Sequence, residues 1–324
     1  LEFQIPGVVN QSGSTLESVH HAAPFEGGVM RGFQRWLEQL RNGIILSMAD
    51  TLRVFRDKDY LSDFLRRYWF APPVALWRSI EAKTLATLEF PAPMLDFGCG
   101  DGLYTEAIFG RQPGIFGNDI AAAELPGARD SGVYQHGVQF ADGHHLPYPD
   151  GFFGSVYSNS VVEHIPDPQN VLPELSRVLR TDGLIVFTVP SDQFRVLLDG
   201  YRSASSKQEA EAYAKSIDAK FAHFHYHTAD EWRVLFAQVG IRLTEARYYI
   251  SPTAEAQWDR MNREYNIGGR SLFNILASPR LRPLGYQGFM RNMVHDRLLP
   301  KLRPFYDDRD AASGGGMLVV GRKM

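Results

Sequence analysis

Cysteine is all but missing: Cys99 is the only one in 324 residues. A disulfide within the chain is impossible, and so is any cluster ligated by several thiolates, which fits a reducing compartment. Positive charge is not in excess either. Thirty-four Lys and Arg against 37 Asp and Glu leave a net charge of −3, which disfavours a surface built as a whole to hold nucleic acid. Long apolar runs are absent, and nothing approaches the roughly 20 residues that a spanning helix needs. The chain opens on Leu1 with no secretory signal in view, and no internal repeat shows. A cytoplasmic location is therefore expected.

What is present is ordinary for a globular protein, with 44% apolar and 22% charged residues, and the length is enough for one large α/β domain with additions or for two small domains. Residues 1–29 are polar, Gly/Ser-rich and without period, and are expected to be disordered or loosely packed. Residues 30–90 read as a helical extension. "FQRWLEQLRNGIILSMADTLRVF" and "DFLRRYWFAPPVALWRSIEAKTLATL" repeat apolar residues at helical spacing, with a break at Pro72–Pro73. Then short apolar runs at 93–97, 114–118, 138–141, 153–157 and 183–189 alternate with helical stretches at 103–110, 168–180 and 192–219. That alternation predicts a parallel sheet covered by helices. A helix over 228–240, a strand "IRLTEARYYI" and a last strand "GMLVVGRKM" complete the core, expected over 91–251 and 314–324. The intervening residues, 252–313, form a connection of about 60 residues, too long to be idle in a compact domain, and are expected to be a helical cap.

The chemistry begins at "PMLDFGCGDGLYTEA", where a strand runs into a helix through glycines at 98, 100 and 102. Such a loop lets backbone approach a ligand closely and leaves helix N–H groups free to meet it. Dinucleotides and S-adenosylmethionine both want this. The dinucleotide pattern needs its third glycine at the sixth position, where this chain has Leu103. Asp119 closes the second strand in "GIFGNDI", placed to accept hydrogen bonds from ribose hydroxyls. Asp142 and Gly143 follow the third strand in "FADGHHLPYPDGFFGSVYSNSVVEHIPD", suited to an adenine amine and ring nitrogen.

These four motifs, in order, resemble the class I S-adenosylmethionine-dependent methyltransferases, in the branch with the "LDxGCGxG … D … LPFPDxxFD … VLEHI" signature. The resemblance covers residues 93–189 and, more loosely, 221–250. It implies a Rossmann-like, mostly parallel seven-stranded sheet with an antiparallel last strand. It also implies S-adenosylmethionine as cofactor: Asp96, Gly98, Cys99, Gly100 and Gly102 at the methionine end, Asp119 at the ribose, Asp142 and Gly143 at the adenine, Asn159 beside the amino-acid moiety, and Ile120 as a further cofactor-binding residue. One departure stands out, Gly154 where the family commonly has Asp. A nicotinamide oxidoreductase and a cofactor-binding protein without activity are the rival readings.

Methyl transfer from a sulfonium is an in-line displacement in which the protein aligns the partners and, for a hydroxyl acceptor, takes a proton. His164 in "VEHI" and His225 in "FAHFHYHTADEW" are the candidate catalytic bases, with loop hydrogen bonding as the competing role for each. No metal site is expected, because no carboxylate accompanies His223, His225 and His227 at suitable spacing. The Asn/Asp-Pro-Pro-aromatic run of enzymes that methylate nucleic-acid amines is absent at "SNSV", so a nucleic-acid partner is not expected. A small-molecule or lipid-linked acceptor remains, with O-methylation ahead of N- or C-methylation. Between Arg270 and Pro304 stand seven Lys or Arg and a single acid, Asp296, interleaved with apolar residues. Such a segment suits an anionic acceptor or peripheral membrane contact; a lid helix with solvated arginines has the same pattern.

Overall fold

The computed structural model describes residues 50–267, 270–271, 285–308 and 312–324. The expectations for residues 1–29, for the first part of the helical extension and for much of 270–284 lie outside the described residues.

The extension holds β1 (Thr51–Leu52), α1 (Tyr60–Arg67) and α2 (Pro72–Leu85), then β2 (Phe90–Pro91). Pro72 and Pro73 open α2, where a missing N–H costs nothing. Helical periodicity through 33–55 does not hold at its end: Thr51–Leu52 is a short strand paired antiparallel with Phe90–Pro91. The core follows as β3 (Met94–Phe97), α3 (Leu103–Phe109), β4 (Ile115–Asp119), α4 (Leu125–Ser131), β5 (Val138–Phe140), β6 (Phe153–Asn159), α5 (Leu172–Val178) and β7 (Leu179–Pro190). The single helix expected over 192–219 is three: α6 (Phe194–Leu197), α7 (Asp199–Arg202) and α8 (Lys207–Phe221), the last capped by Ser206. Next come α9 (Ala229–Gln238), opened by a Thr228–Glu231 capping box, and β8 (Ile241–Tyr248). The cap contains α10 (Pro252–Glu264), the two-residue strands β9 (Asn266–Ile267) and β10 (Arg270–Ser271), and α11 (Gln287–Asp307), before β11 (Gly316–Lys323). It is therefore not wholly helical.

The main sheet has seven strands in the order β5-β4-β3-β6-β7-β11-β8. β3 to β7 run parallel, and β11 is antiparallel to both β7 and β8. Its two faces can be read from alternating residues, as strand geometry requires. Tyr157, Val186, Leu318 and Val320 pack with Leu76, Ile80, Ala107 and Leu125 on one side. Val156, Ile185, Phe187, Met317 and Val319 pack with Leu172, Leu175, Trp232 and Phe236 on the other. The functional loops gather where β3, β4 and β6 end, the usual ligand crevice of an open parallel sheet.

Gly154 now has a physical reason. A Cβ there would stand 2.6 Å from the Ala92 carbonyl oxygen and 2.9 Å from that of Pro91. The chain leading out of the β1–β2 ribbon occupies the room that a family Asp would need.

Candidate active site

The glycine loop between β3 and α3 has φ of +74° at Gly98, +53° at Gly100 and +77° at Gly102, the left-handed region that side chains disfavour. The three glycines meet different neighbours. A Cβ on Gly98 would lie 2.5 Å from Val161, and one on Gly102 would lie 2.8 Å from Ser131 Oγ. A Cβ on Gly100 would meet nothing within 4 Å. Two glycines thus make room for the protein itself, and Gly100 alone turns its backbone to open space. This is the cradle that a cofactor must fill.

Asp119 fixes that loop. Its Oδ2 accepts the Gly100 N–H at 2.8 Å and its Oδ1 accepts Ala121 N–H at 2.7 Å. Both oxygens keep a further lone pair for ribose hydroxyls. Ile120, next along, is 58% exposed, an apolar side chain placed where an adenine face could lie. Asp142 is exposed, and its Oδ1 accepts the His144 N–H at 3.0 Å and faces His144 Nδ1 at 2.6 Å. Burial acts to raise its pKa but is outweighed by the His144 bonds, so Asp142 stays ionised below the usual carboxylate range. Gly143 leaves no room for a side chain, since a Cβ would be 2.6 Å from the Phe97 ring.

Asp96 lies deeper than a surface ligand. Thr105 Oγ1 at 2.5 Å and Tyr134 Oη at 2.6 Å both donate to its Oδ2. Burial pushes its pKa up to about 6 despite those two bonds. Cys99 is buried, and burial holds its thiol well above the ordinary range, so it is a packing residue rather than a nucleophile.

At the end of β6 a buried polar cluster forms, and α2 contributes to it. Arg78 donates to Glu81 Oε2 at 2.8 Å, to Ser160 Oγ at 3.2 Å and to Asn159 Oδ1. Asn159 Nδ2 donates to Thr188 Oγ1 at 2.5 Å, and Tyr249 Oη donates to Glu81 Oε1 at 2.7 Å. Sequence reasoning missed Arg78 and Glu81, which look like an ordinary i,i+3 pair on a helix. Glu163 and His164 follow on a 3₁₀ turn, Val162–His164. Burial pushes Glu163 up to about 8. His164 Nδ1 is 3.1 Å from the Ala222 carbonyl, and burial lowers its pKa. His223 packs 5.4 Å from His164, ring to ring, and burial followed by the two neighbouring histidines lowers it to about 3.

His225 is placed differently from the expected base. Its Nε2 sits 3.1 Å from Val162 O and 3.0 Å from Ile165 O. Carbonyl oxygens only accept, so Nε2 must carry a proton and donate it. The ring staples the segment after α8 onto the 3₁₀ turn and has no lone pair at that nitrogen to act as a base.

Aromatic rings gather beside His223: Trp77 of α2, Phe194 of α6, Tyr226, and Trp258 of α10. Trp77 lies 5.9 Å from Phe194 and 5.3 Å from Trp258, and Phe194 lies 5.5 Å from Tyr226. The described part of the basic segment, α11, packs one face on the extension. Val294, His295, Leu302 and Tyr306 of α11 are buried, while Arg291, Arg297 and Lys301 face solvent. Leu302 and Tyr306 of α11 pack with residues of α1 and α2, and Phe289 is exposed at 70%.

Residues 95–187 match the family described as "Methyltransferase domain". The chain is 23% identical over 196 residues to the malonyl-[acyl-carrier protein] O-methyltransferase of Legionella pneumophila, covering 54% of this chain and 69% of that protein. It is 30% identical over 103 residues to the ubiquinone biosynthesis O-methyltransferase of Pectobacterium carotovorum, covering 31% of this chain and 43% of that protein. The chain thus spans only part of the length of these relatives. Among solved structures, the geranyl diphosphate C-methyltransferase of Streptomyces coelicolor is 15% identical at a TM-score of 0.48, over 94% of this chain and 100% of that one. The core of this chain is a class I methyltransferase domain, and S-adenosylmethionine is its cofactor.

Proposed function

We propose that the chain moves the methyl group of S-adenosylmethionine to an oxygen of a small-molecule or carrier-linked acceptor. The observation that carries this reading is the convergence of both additions on the end of β6. Arg78 from the extension reaches Asn159 and Ser160, and Trp258 from the cap packs with Phe194 and with Trp77, the neighbour of Arg78 on α2. An acceptor held there would sit beside the methionine end of a cofactor lying along Gly98–Gly102. The aromatic cluster keeps water from the sulfonium, and the polar floor orients the acceptor.

Oxygen is favoured because two of the relatives are named as O-methyltransferases. A hydroxyl must also lose its proton, and the groups able to assist lie around His164. A nicotinamide cofactor is disfavoured by Leu103 in place of the third dinucleotide glycine. The test is incubation with methyl-labelled S-adenosylmethionine and fractionated metabolite extract. The reading expects an acceptor that gains one labelled methyl, with Arg78→Ala and Trp258→Ala lowering the yield at least tenfold while cofactor affinity holds. Cofactor binding with no labelled product from any fraction would leave a binding protein in place of an enzyme.

A further inference from the structure

One carboxylate oxygen in the site has no hydrogen-bond partner among the described residues. Glu163 is 2% exposed, and its Oε2 is buried without a hydrogen bond among the described residues. An orphaned carboxylate oxygen inside a protein keeps an uncompensated desolvation cost, so something is expected to meet it. One ligating atom each from Glu163, His164 and His223 lie within 4.8 Å of one another.

Hydrogen bonds fix which nitrogen each histidine offers. Ala222 O can only accept, so His164 Nδ1 carries the proton and Nε2 keeps the lone pair. Tyr226 Oη donates to Asp218 Oδ1 at 2.6 Å, and therefore accepts from His223 Nδ1 at 3.0 Å. His223 Nε2 is left as the ligating nitrogen, behind a carboxylate–tyrosine–histidine chain. Metal-binding histidines are typically held in this way, with the second nitrogen bonded outward to a carboxylate or carbonyl. The scaffold is held as well: the Phe224 N–H bonds Glu163 O at 2.9 Å, and His225 clamps Val162 and Ile165. The nearest cation, Arg78, is already engaged by Glu81, Asn159 and Ser160.

We propose that Glu163, His164 and His223 bind a divalent transition-metal ion. One carboxylate and two imidazoles suit Zn²⁺, Co²⁺ or Fe²⁺ rather than the all-oxygen shells of Mg²⁺ or Ca²⁺. Three protein ligands leave a position open. On the transferase reading, which the ion's role rests on but its binding does not, an acceptor oxygen would take that position. The site departs from the sequence expectation of no metal, because the carboxylate comes from the β6 end and not from the histidine-rich segment.

The test uses the full chain without a histidine tag, stripped by a chelator and titrated with Co²⁺ alone. One equivalent should bind with visible d–d absorption. Glu163→Gln and His223→Asn should each weaken binding at least tenfold, with S-adenosylmethionine affinity measured alongside. No visible band in the wild type, or unchanged uptake in both variants, overturns the proposal. In either case retained cofactor binding leaves the methyltransferase reading intact, whereas loss of cofactor binding with intact Co²⁺ uptake does the reverse.

Discussion

At the scale of single residues, the three glycines look alike in the sequence and differ in the fold. Gly98 yields to Val161 and Gly102 to Ser131, both distant in sequence, so no local pattern could tell them from Gly100. Two consequences follow for mutants. Gly98→Ala combines left-handed backbone strain with a clash and should cost about 2–4 kcal/mol of stability. Gly100→Ala meets no protein atom and should cost only about 1 kcal/mol, yet weaken S-adenosylmethionine at least tenfold; thermal unfolding and calorimetry on the two variants separate the effects. Asp96 makes a pH prediction. Its folded pKa is raised to about 6, so its stability contribution is full below the unfolded carboxylate range and is lost as pH rises through about 6. A cationic cofactor prefers the ionised form, so affinity should fall below pH 6 with a slope approaching one proton, and Asp96→Asn should flatten the profile.

At the scale of elements, the strands were legible because apolar runs of β-branched and aromatic residues fill both faces of a buried sheet. What escaped has local causes. α4 reads "LPGARDS", with a proline and a glycine inside a short helix, and helical propensity gives it no signal. The stretch 192–219 breaks at Leu198, whose ψ of 134° is not helical, and at Ser203–Ser206, where the Ser206 side chain caps α8. Thr51–Leu52 belongs to a strand whose partner lies at Phe90–Pro91. For α11, charge and apolar residues were visible, but which face is covered depends on α1. Arg303 binds Asp59 through both oxygens, at 3.1 and 2.5 Å, and Ser62 Oγ meets His295 Nε2 at 2.9 Å. Leu302→Ala should therefore cost about 2–5 kcal/mol, while replacing Arg291, Arg297 and Lys301 by Gln should change stability by less than about 0.5 kcal/mol each, as urea unfolding would record. Anionic vesicles should not retain the protein through this helix in a flotation assay.

At the scale of the whole molecule, the gathering of the residues expected to hold the cofactor was readable, and that of the residues proposed to meet the acceptor was not. Asp96, Asp119, Asp142 and the glycines sit on consecutive strand ends, so strand order alone gathers them at one edge. Arg78, Glu81, His223 and Trp258 come from an extension, a loop and a cap, and only tertiary packing brings them together. His223 shows the difference most clearly. In the sequence it is one of three alternating histidines; in the fold it leaves His225 and His227 stacked at 4.4 Å and turns to His164 and Glu163.

The transferase reading rests on Gly98–Gly102 and Asp119 forming one receptacle for the adenosyl sulfonium. Calorimetric titration of the wild type and of Asp119→Ala with S-adenosylmethionine tests this most directly. One equivalent bound by the wild type and at least a tenfold loss in the variant are expected. No heat in the wild type, or equal affinity in both, would contradict the account.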